Sequence, residues 1–154
     1  MHGFDRIFLI GVMGAGKTSV GKELSKLLDF SFIDADVLLE QKLQLSIAEI
    51  IQLNGEISFR QEECKLLQEI TRHSATVVAT GGGCVLNPIN RQILKARGLV
   101  CHLEVSLDAQ LQRLEFTSNR PLLPFKKNQR RSFLINHRLE RASLYDHTAD
   151  IHYN

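Results

Sequence analysis

Cysteine is scarce in this 154-residue sequence: Cys64, Cys84 and Cys101 are the only three, far apart and odd in number. None forms a C-x-x-C pair, so nothing in the count supports a disulfide framework, and reduced thiols in a cytoplasmic protein are expected. Net charge is also small. The 19 basic and 17 acidic side chains leave a formal +2 at pH 7, too little to call for a nucleic-acid partner and as easily supplied by single basic residues set into a pocket. Long apolar runs are missing too. The N-terminal Met-His-Gly-Phe-Asp-Arg leads straight into Ile7-Phe8-Leu9-Ile10, which Gly11 and then Lys17 interrupt. That run is too short for a signal segment or a membrane span. The six histidines show neither H-x-x-x-H nor H-E-x-x-H, and are read as surface or core residues, not as metal ligands.

What is present is ordinary for one soluble domain spanning 1–154, with 44% hydrophobic and 23% charged residues and no internal repeat. Ile7–Ile10 reads as a strand covered on both faces, and Thr18–Leu28 as an amphipathic helix. Phe30-Ser31-Phe32-Ile33 is a second apolar run ending at Asp34. Helices are expected over Val37–Leu45 and Ile47–Leu53, the latter opened by a Ser46-x-x-Glu49 capping box and stopped at Asn54-Gly55. Phe59, Leu66, Leu67 and Ile70 give one face of a longer helix to about Arg72. Thr76–Thr80 is a β-branched strand running into Gly81-Gly82-Gly83. Asn87-Pro88 starts another helix and Gly98 ends it. Leu99–Val105 is a strand, and Ser106 caps a helix carrying Leu107, Leu111 and Leu114. The polar, basic stretch 116–131 has no periodicity and is expected to be a mobile loop. A helix over Arg131–Leu144 and a strand over Ala149–Tyr153 complete the chain. Strands separated by helix-length segments predict an α/β fold: a parallel sheet with helices on both faces, a three-layer α/β/α arrangement. Ligands of such sheets sit beyond the carboxyl ends of the strands. The residues to watch are therefore 11–18, 34–36 and 81–83.

Gly11-Val12-Met13-Gly14-Ala15-Gly16-Lys17-Thr18 fits G-x-x-x-x-G-K-[ST] between a strand and a helix. Such a P-loop wraps backbone N–H groups around phosphate oxygens at a helix N-terminus. Lys17 is placed to reach the β- and γ-phosphates of a nucleoside triphosphate, and the Thr18 hydroxyl to hold Mg²⁺. No N-K-x-D run is present to select guanine. Asp34-Ala35-Asp36 puts two carboxylates at a strand end, where extended geometry would aim both the same way. One could assist the metal and the other accept from a substrate hydroxyl; the plainer alternative is that Asp36 caps the Val37 helix. Three consecutive glycines suggest close approach of backbone to a ligand. Arg60 and Arg141, if not solvated surface residues, could clamp an anionic substrate. Arg120-Pro121-Leu122-Leu123 lies in the basic loop, where a closing lid would exclude water and deliver an arginine to developing charge.

The P-loop, the Phe32-Ile33-Asp34-Ala35-Asp36 run, Ser58-Phe59-Arg60, Gly81-Gly82-Gly83, Arg120-Pro121-Leu122-Leu123 and Arg141 with Leu144-Tyr145 together resemble the shikimate kinase family. They follow the family's order and spacing from residue 7 to about 153. The resemblance implies a five-stranded parallel sheet of order 2-3-1-4-5, a mobile lid, and γ-phosphate transfer from ATP to the 3-hydroxyl of shikimate in the route to chorismate and the aromatic amino acids. It implies ATP on Gly14, Ala15, Gly16, Lys17, Thr18, Ser19 and Arg120, with Arg113 against adenine. Shikimate would rest on Asp36, Arg60, Gly81, Gly82, Gly83 and Arg141, and Mg²⁺ on Thr18 and, through water, Asp34. Lys17, Asp36 and Arg120 would be catalytic. A cytoplasmic monomer with ATP and shikimate as partners, free of nucleic acid and membrane, is expected. The alternatives are another small-molecule P-loop kinase, such as gluconate kinase, and a non-catalytic protein of the same build. The family usually continues past the fifth strand with an adenine-contacting loop and a closing helix. This sequence stops at Ile151-His152-Tyr153-Asn154, so an open adenine pocket is expected.

Overall fold

The computed structural model describes residues 4–117 and 120–154. Strands β1 (Arg6–Ile10), β2 (Ser31–Asp34), β3 (Thr76–Ala79), β4 (Leu99–Leu103) and β5 (Ile151–Tyr153) form one sheet, every pair parallel, in the order β2-β3-β1-β4-β5. That is the order implied by the resemblance. Helices α1 (Lys17–Leu28), α2 (Ala35–Leu43), α3 (Ile47–Ile70), α4 (Pro88–Arg97), α5 (Leu107–Leu114) and α6 (Lys127–Thr148) make the connections, with a 3₁₀ turn at Cys84–Leu86.

Alternation along β1 divides the core. Phe8 and Ile10 pack with Val78, Val100, Leu39, Ile50, Phe59 and Tyr145 on one face. Leu9 packs with Val77, Cys101 and Leu103 on the other, where Leu24 of α1 covers it. Phe8, Leu9 and Ile10 are each at most 1% exposed. A strand buried on both sides needs this uniformly apolar sequence.

Three expectations are corrected. Strands β3, β4 and β5 are shorter than the runs suggested, whereas β1 starts one residue earlier, at Arg6. Helix α6 begins at Lys127, four residues before the expected Arg131, so the non-helical part of the expected 116–131 lid ends at Lys126. The early turn carries no apolar residue and hence no visible period. It is anchored instead by Arg130, which donates to the carbonyls of Pro124 and Leu114. Ser118 and Asn119, within that lid, lie outside the described residues. The third correction concerns Asp34 and Asp36. The chain leaves extended geometry at Asp34, so Asp36 lies in the first turn of α2 and Asp34, not Asp36, is the N-cap, accepting from the Val37 amide.

The helix break expected at Asn54-Gly55 is present: α3 is two helical runs that meet in a kink at Gly55, whose φ of 83° and ψ of 164° are non-helical. That backbone region is almost closed to residues with a Cβ, although a Cβ there would touch nothing within 4 Å. Gly55→Ala therefore tests the bend. A straight helix would gain ~0.5–1 kcal/mol from alanine, whereas the bent one should lose ~1–3 kcal/mol of stability. Thermal or denaturant unfolding reads the sign directly.

Candidate active site

The carboxyl ends of β1, β2 and β3 open into a cleft of ≈ 510 Å³. It collects almost every residue singled out by sequence: the loop from Gly14, with Lys17, Thr18 and Ser19; Asp34 and Asp36; Arg60; Gly81–Gly83; Arg113, Arg120 and Arg141. Ala15 is the exception. Its side chain is buried with Leu9 and Leu103, and its N–H donates to the Val12 carbonyl at 3.2 Å.

Gly16 starts α1 at φ 94°, and neither a capping side chain nor an acid occupies the first turn. By contrast α2, α3, α4 and α5 are capped by Asp34, Ser46, Asn87 and Ser106. The end of α1 thus offers its N–H groups and positive dipole to the cleft, an arrangement suited to anions. Lys17 Nζ donates to the carbonyls of Gly11 and Val12 at 2.8 and 2.9 Å. Burial lowers this ammonium to about 8 against the opposing pull of Asp36. Thr18 Oγ1 donates to Asp34 Oδ2 at 2.7 Å, leaving two hard oxygens side by side where a divalent cation could be shared. Arg113, exposed on α5, donates to the Gly14 carbonyl at 2.8 Å and so lies along the loop.

The second half of the cleft holds charge away from water. Asp36 is pushed above the usual carboxylate range by burial and then by Asp34, while Lys17, Arg120 and Arg60 pull it down. Glu63, only 6% exposed, was not anticipated. It accepts from Arg60 Nη1 at 3.0 Å, and Glu56 accepts from Arg60 Nη2 at 3.4 Å. Burial raises the Glu63 carboxyl and Arg60 opposes the shift. Glu63 Oε1 and Arg60 Nε have no hydrogen-bond partner among the described residues. The signal for Glu63 was present in the sequence: the buried stripe Phe59, Leu66, Leu67 and Ile70 has Glu63 at its helical spacing, an acid on an apolar face.

Arg141 is 4% exposed, its Nε lacks a partner, and among the described residues it forms no ion pair. Its neighbour Tyr145, also unassigned from sequence, donates to the Gly82 carbonyl at 2.5 Å. Burial pushes that phenol up to about 12. The glycine triplet serves these side chains. A Cβ on Gly83 would stand 2.3 Å from Arg60 Nη2, and one on Gly81 2.8 Å from Glu63 Oε1 and 2.9 Å from Asp36 Oδ1. Cys84, directly after the triplet, is buried, and burial pushes its thiol well up, which leaves it inert.

Comparison with known proteins agrees with this geometry. The family model described as shikimate kinase matches residues 13–154. Shikimate kinase of Halorhodospira halophila is 44% identical over 96% of this chain and 82% of its own length. That of Buchnera aphidicola is 42% identical over 94% and 83%. Among solved structures, shikimate kinase from Acinetobacter baumannii in complex with shikimate superposes with TM-score 0.94 at 38% identity, covering 98% of this chain and 83% of that one. The enzyme from Bacteroides thetaiotaomicron gives 0.91 at 33%, covering 97% and 85%.

The lowered Lys17 ammonium generates a test. Unfolded lysine holds its proton to 10.5, whereas the folded one releases it from about 8. Between those values the native state binds fewer protons, so its stability contribution rises with pH. Lys17→Met lacks this term. Relative to the parent protein, its Tm should be highest near neutral pH and should fall by several degrees as pH climbs through that window. A difference constant across the window would mean that Lys17 is not desolvated.

Proposed function

We infer the function from one premise: the chain belongs to the shikimate kinase family. It is a kinase that phosphorylates shikimate. In our finer reading the γ-phosphate of ATP passes to the 3-hydroxyl, giving shikimate 3-phosphate on the route to chorismate and the aromatic amino acids. The observation that carries this reading is Arg141, a buried guanidinium in no ion pair among the described residues, set in the same cleft as the Arg60–Glu63 pair and the phosphate loop. An unpaired buried cation is expensive to keep. A carboxylated substrate supplies the missing anion.

In this reading the α1 N-terminus and Lys17 bind the nucleotide phosphates, and Arg113 lies along the loop toward the base. Arg60 and Arg141 hold the shikimate carboxylate, Glu63 fixes Arg60, and Gly81 and Gly82 lie along the ring. Asp36, drawn upward by its surroundings, accepts from the reacting hydroxyl. Arg120 approaches the transferring group from a lid that keeps water out. Thr18 and, through water, Asp34 fit a divalent cation, Mg²⁺ in our reading, which when bound neutralises charge on the phosphates. We read the protein as a cytoplasmic monomer acting on these two small molecules, without nucleic acid; no helix among the described residues is long and apolar enough to cross a membrane. Gluconate kinase chemistry draws no support from a specific residue of the cleft.

A coupled ADP-release assay comparing shikimate with gluconate and nucleoside monophosphates tests the substrate; only shikimate should be turned over. Arg60→Ala and Arg141→Ala should each raise the shikimate KM strongly and the ATP KM little, since loss of one partner of a desolvated charge pair costs ~2–5 kcal/mol. Normal shikimate binding by calorimetry in both variants would remove the clamp. Asp36→Asn should lower kcat steeply and weaken shikimate binding. Arg120→Ala should depress kcat more than binding, because its partner is charge on the transferring phosphoryl group.

A further inference from the structure

We propose that His102, Glu104 and His152 form a binding site for one transition-metal dication of the Zn²⁺ class, separate from the phosphate cleft. Two strands build it. His102 on β4 and His152 on β5 are register partners in a parallel pair, so their side chains leave the same face of the sheet. Glu104 follows His102 by two residues, and its N–H donates to the Tyr153 carbonyl at 2.8 Å. The ladder thus runs past the end of β4 and keeps Glu104 on the face of His102.

The three donor atoms form a triangle. His102 Nδ1 and His152 Nδ1 are 3.3 Å apart, His152 Nδ1 and Glu104 Oε1 3.2 Å, and His102 Nδ1 and Glu104 Oε1 3.8 Å. Ligands at ~2.0–2.1 Å around a tetrahedral zinc stand about 3.3 Å from one another. The triangle therefore matches one face of that tetrahedron, with only its Glu104 to His102 edge a few tenths of an ångström wide.

Protons alone serve this arrangement poorly. A neutral imidazole carries one N–H, so His152 Nδ1 either donates or accepts, yet it faces an imidazole nitrogen and a carboxylate oxygen at hydrogen-bond distance together. If it donates, one hydrogen is shared between two acceptors. If it accepts from His102, its lone pair faces that of Glu104. One dication satisfies all three lone pairs at once. His102 is pre-set for this: it is 8% exposed, and Tyr145 stacks on its ring at 4.8 Å and 22°. Glu104 and His152 are exposed, leaving the fourth position to water. Two imidazoles and one carboxylate favour zinc, nickel or copper over magnesium or calcium. Spacing along the chain could not reveal the site, because its histidines come from strands 50 residues apart. Bound metal would fasten β5, a three-residue edge strand exposed throughout, to β4.

The test uses the 154-residue chain in metal-free, nucleotide-free buffer, titrated calorimetrically with ZnCl₂. One zinc per chain should bind, and saturation should raise Tm by roughly 5 °C at about a hundredfold excess over Kd; MgCl₂ at equal concentration should do neither. His152→Asn and Glu104→Gln change exposed side chains, and each should weaken zinc binding by about tenfold or more. Co²⁺ bound to the parent protein should give visible bands of a tetrahedral N/O site with no thiolate charge-transfer band. Absence of stoichiometric zinc binding, affinity unchanged in both variants, or a thiolate band would each overturn the proposal.

Discussion

Desolvated charge is the constraint on which the cleft depends. An ion moved out of water loses several kcal/mol even after the protein relaxes around it, and here Lys17, Asp36, Arg60, Glu63 and Arg141 all stand in or beside one enclosed space. They are tolerable only as a set. Lys17 is held by carbonyls, Arg60 by Glu63, and Asp36 by the combined fields of three cations. Arg141 is buried yet in no ion pair among the described residues, and it gives the cleft its appetite for an anion. The parallel sheet makes this possible by ending three strands at the same edge, so that groups distant in sequence meet in one low-dielectric volume.

Local rules made part of this readable from sequence. The P-loop carries its own context, a strand before and a helix after, and each glycine has a backbone task. The sheet followed from apolar runs separated by helical periods. What escaped reading depended on packing across elements. Asp34 and Asp36 looked like strand neighbours, yet the helix begins two residues sooner than the apolar pattern shows. Glu63 stands beside Glu62 in a charged helix, and only its position on the face of Phe59 and Ile70 marks it as buried. Arg141 lies on a comparable stripe with Leu134, Tyr145 and Thr148, where a cation is equally out of place. Buried charges at helical spacing among apolar residues are the signal that a search for motifs passes over.

The lid boundary was misplaced for a related reason. Nothing in Lys127–Arg130 alternates, so the start of α6 is invisible to periodicity. The side chain that fixes it, Arg130, reaches across to the end of α5. Leu123 packs with Leu114 and Leu134 at the same junction, so the base of the loop is tied down while Arg120 is exposed and lines the cleft.

The glycine triplet also constrains how this sequence can drift. The space a methyl at position 83 would need is filled by the guanidinium of residue 60, and the space at 81 by the acids of residues 36 and 63. A side chain at either glycine is admissible only if those charged groups shift or shorten. Either way the chemistry of the cleft changes. Codons for two of the smallest residues are thereby coupled to codons for three charged ones, an epistasis imposed by volume.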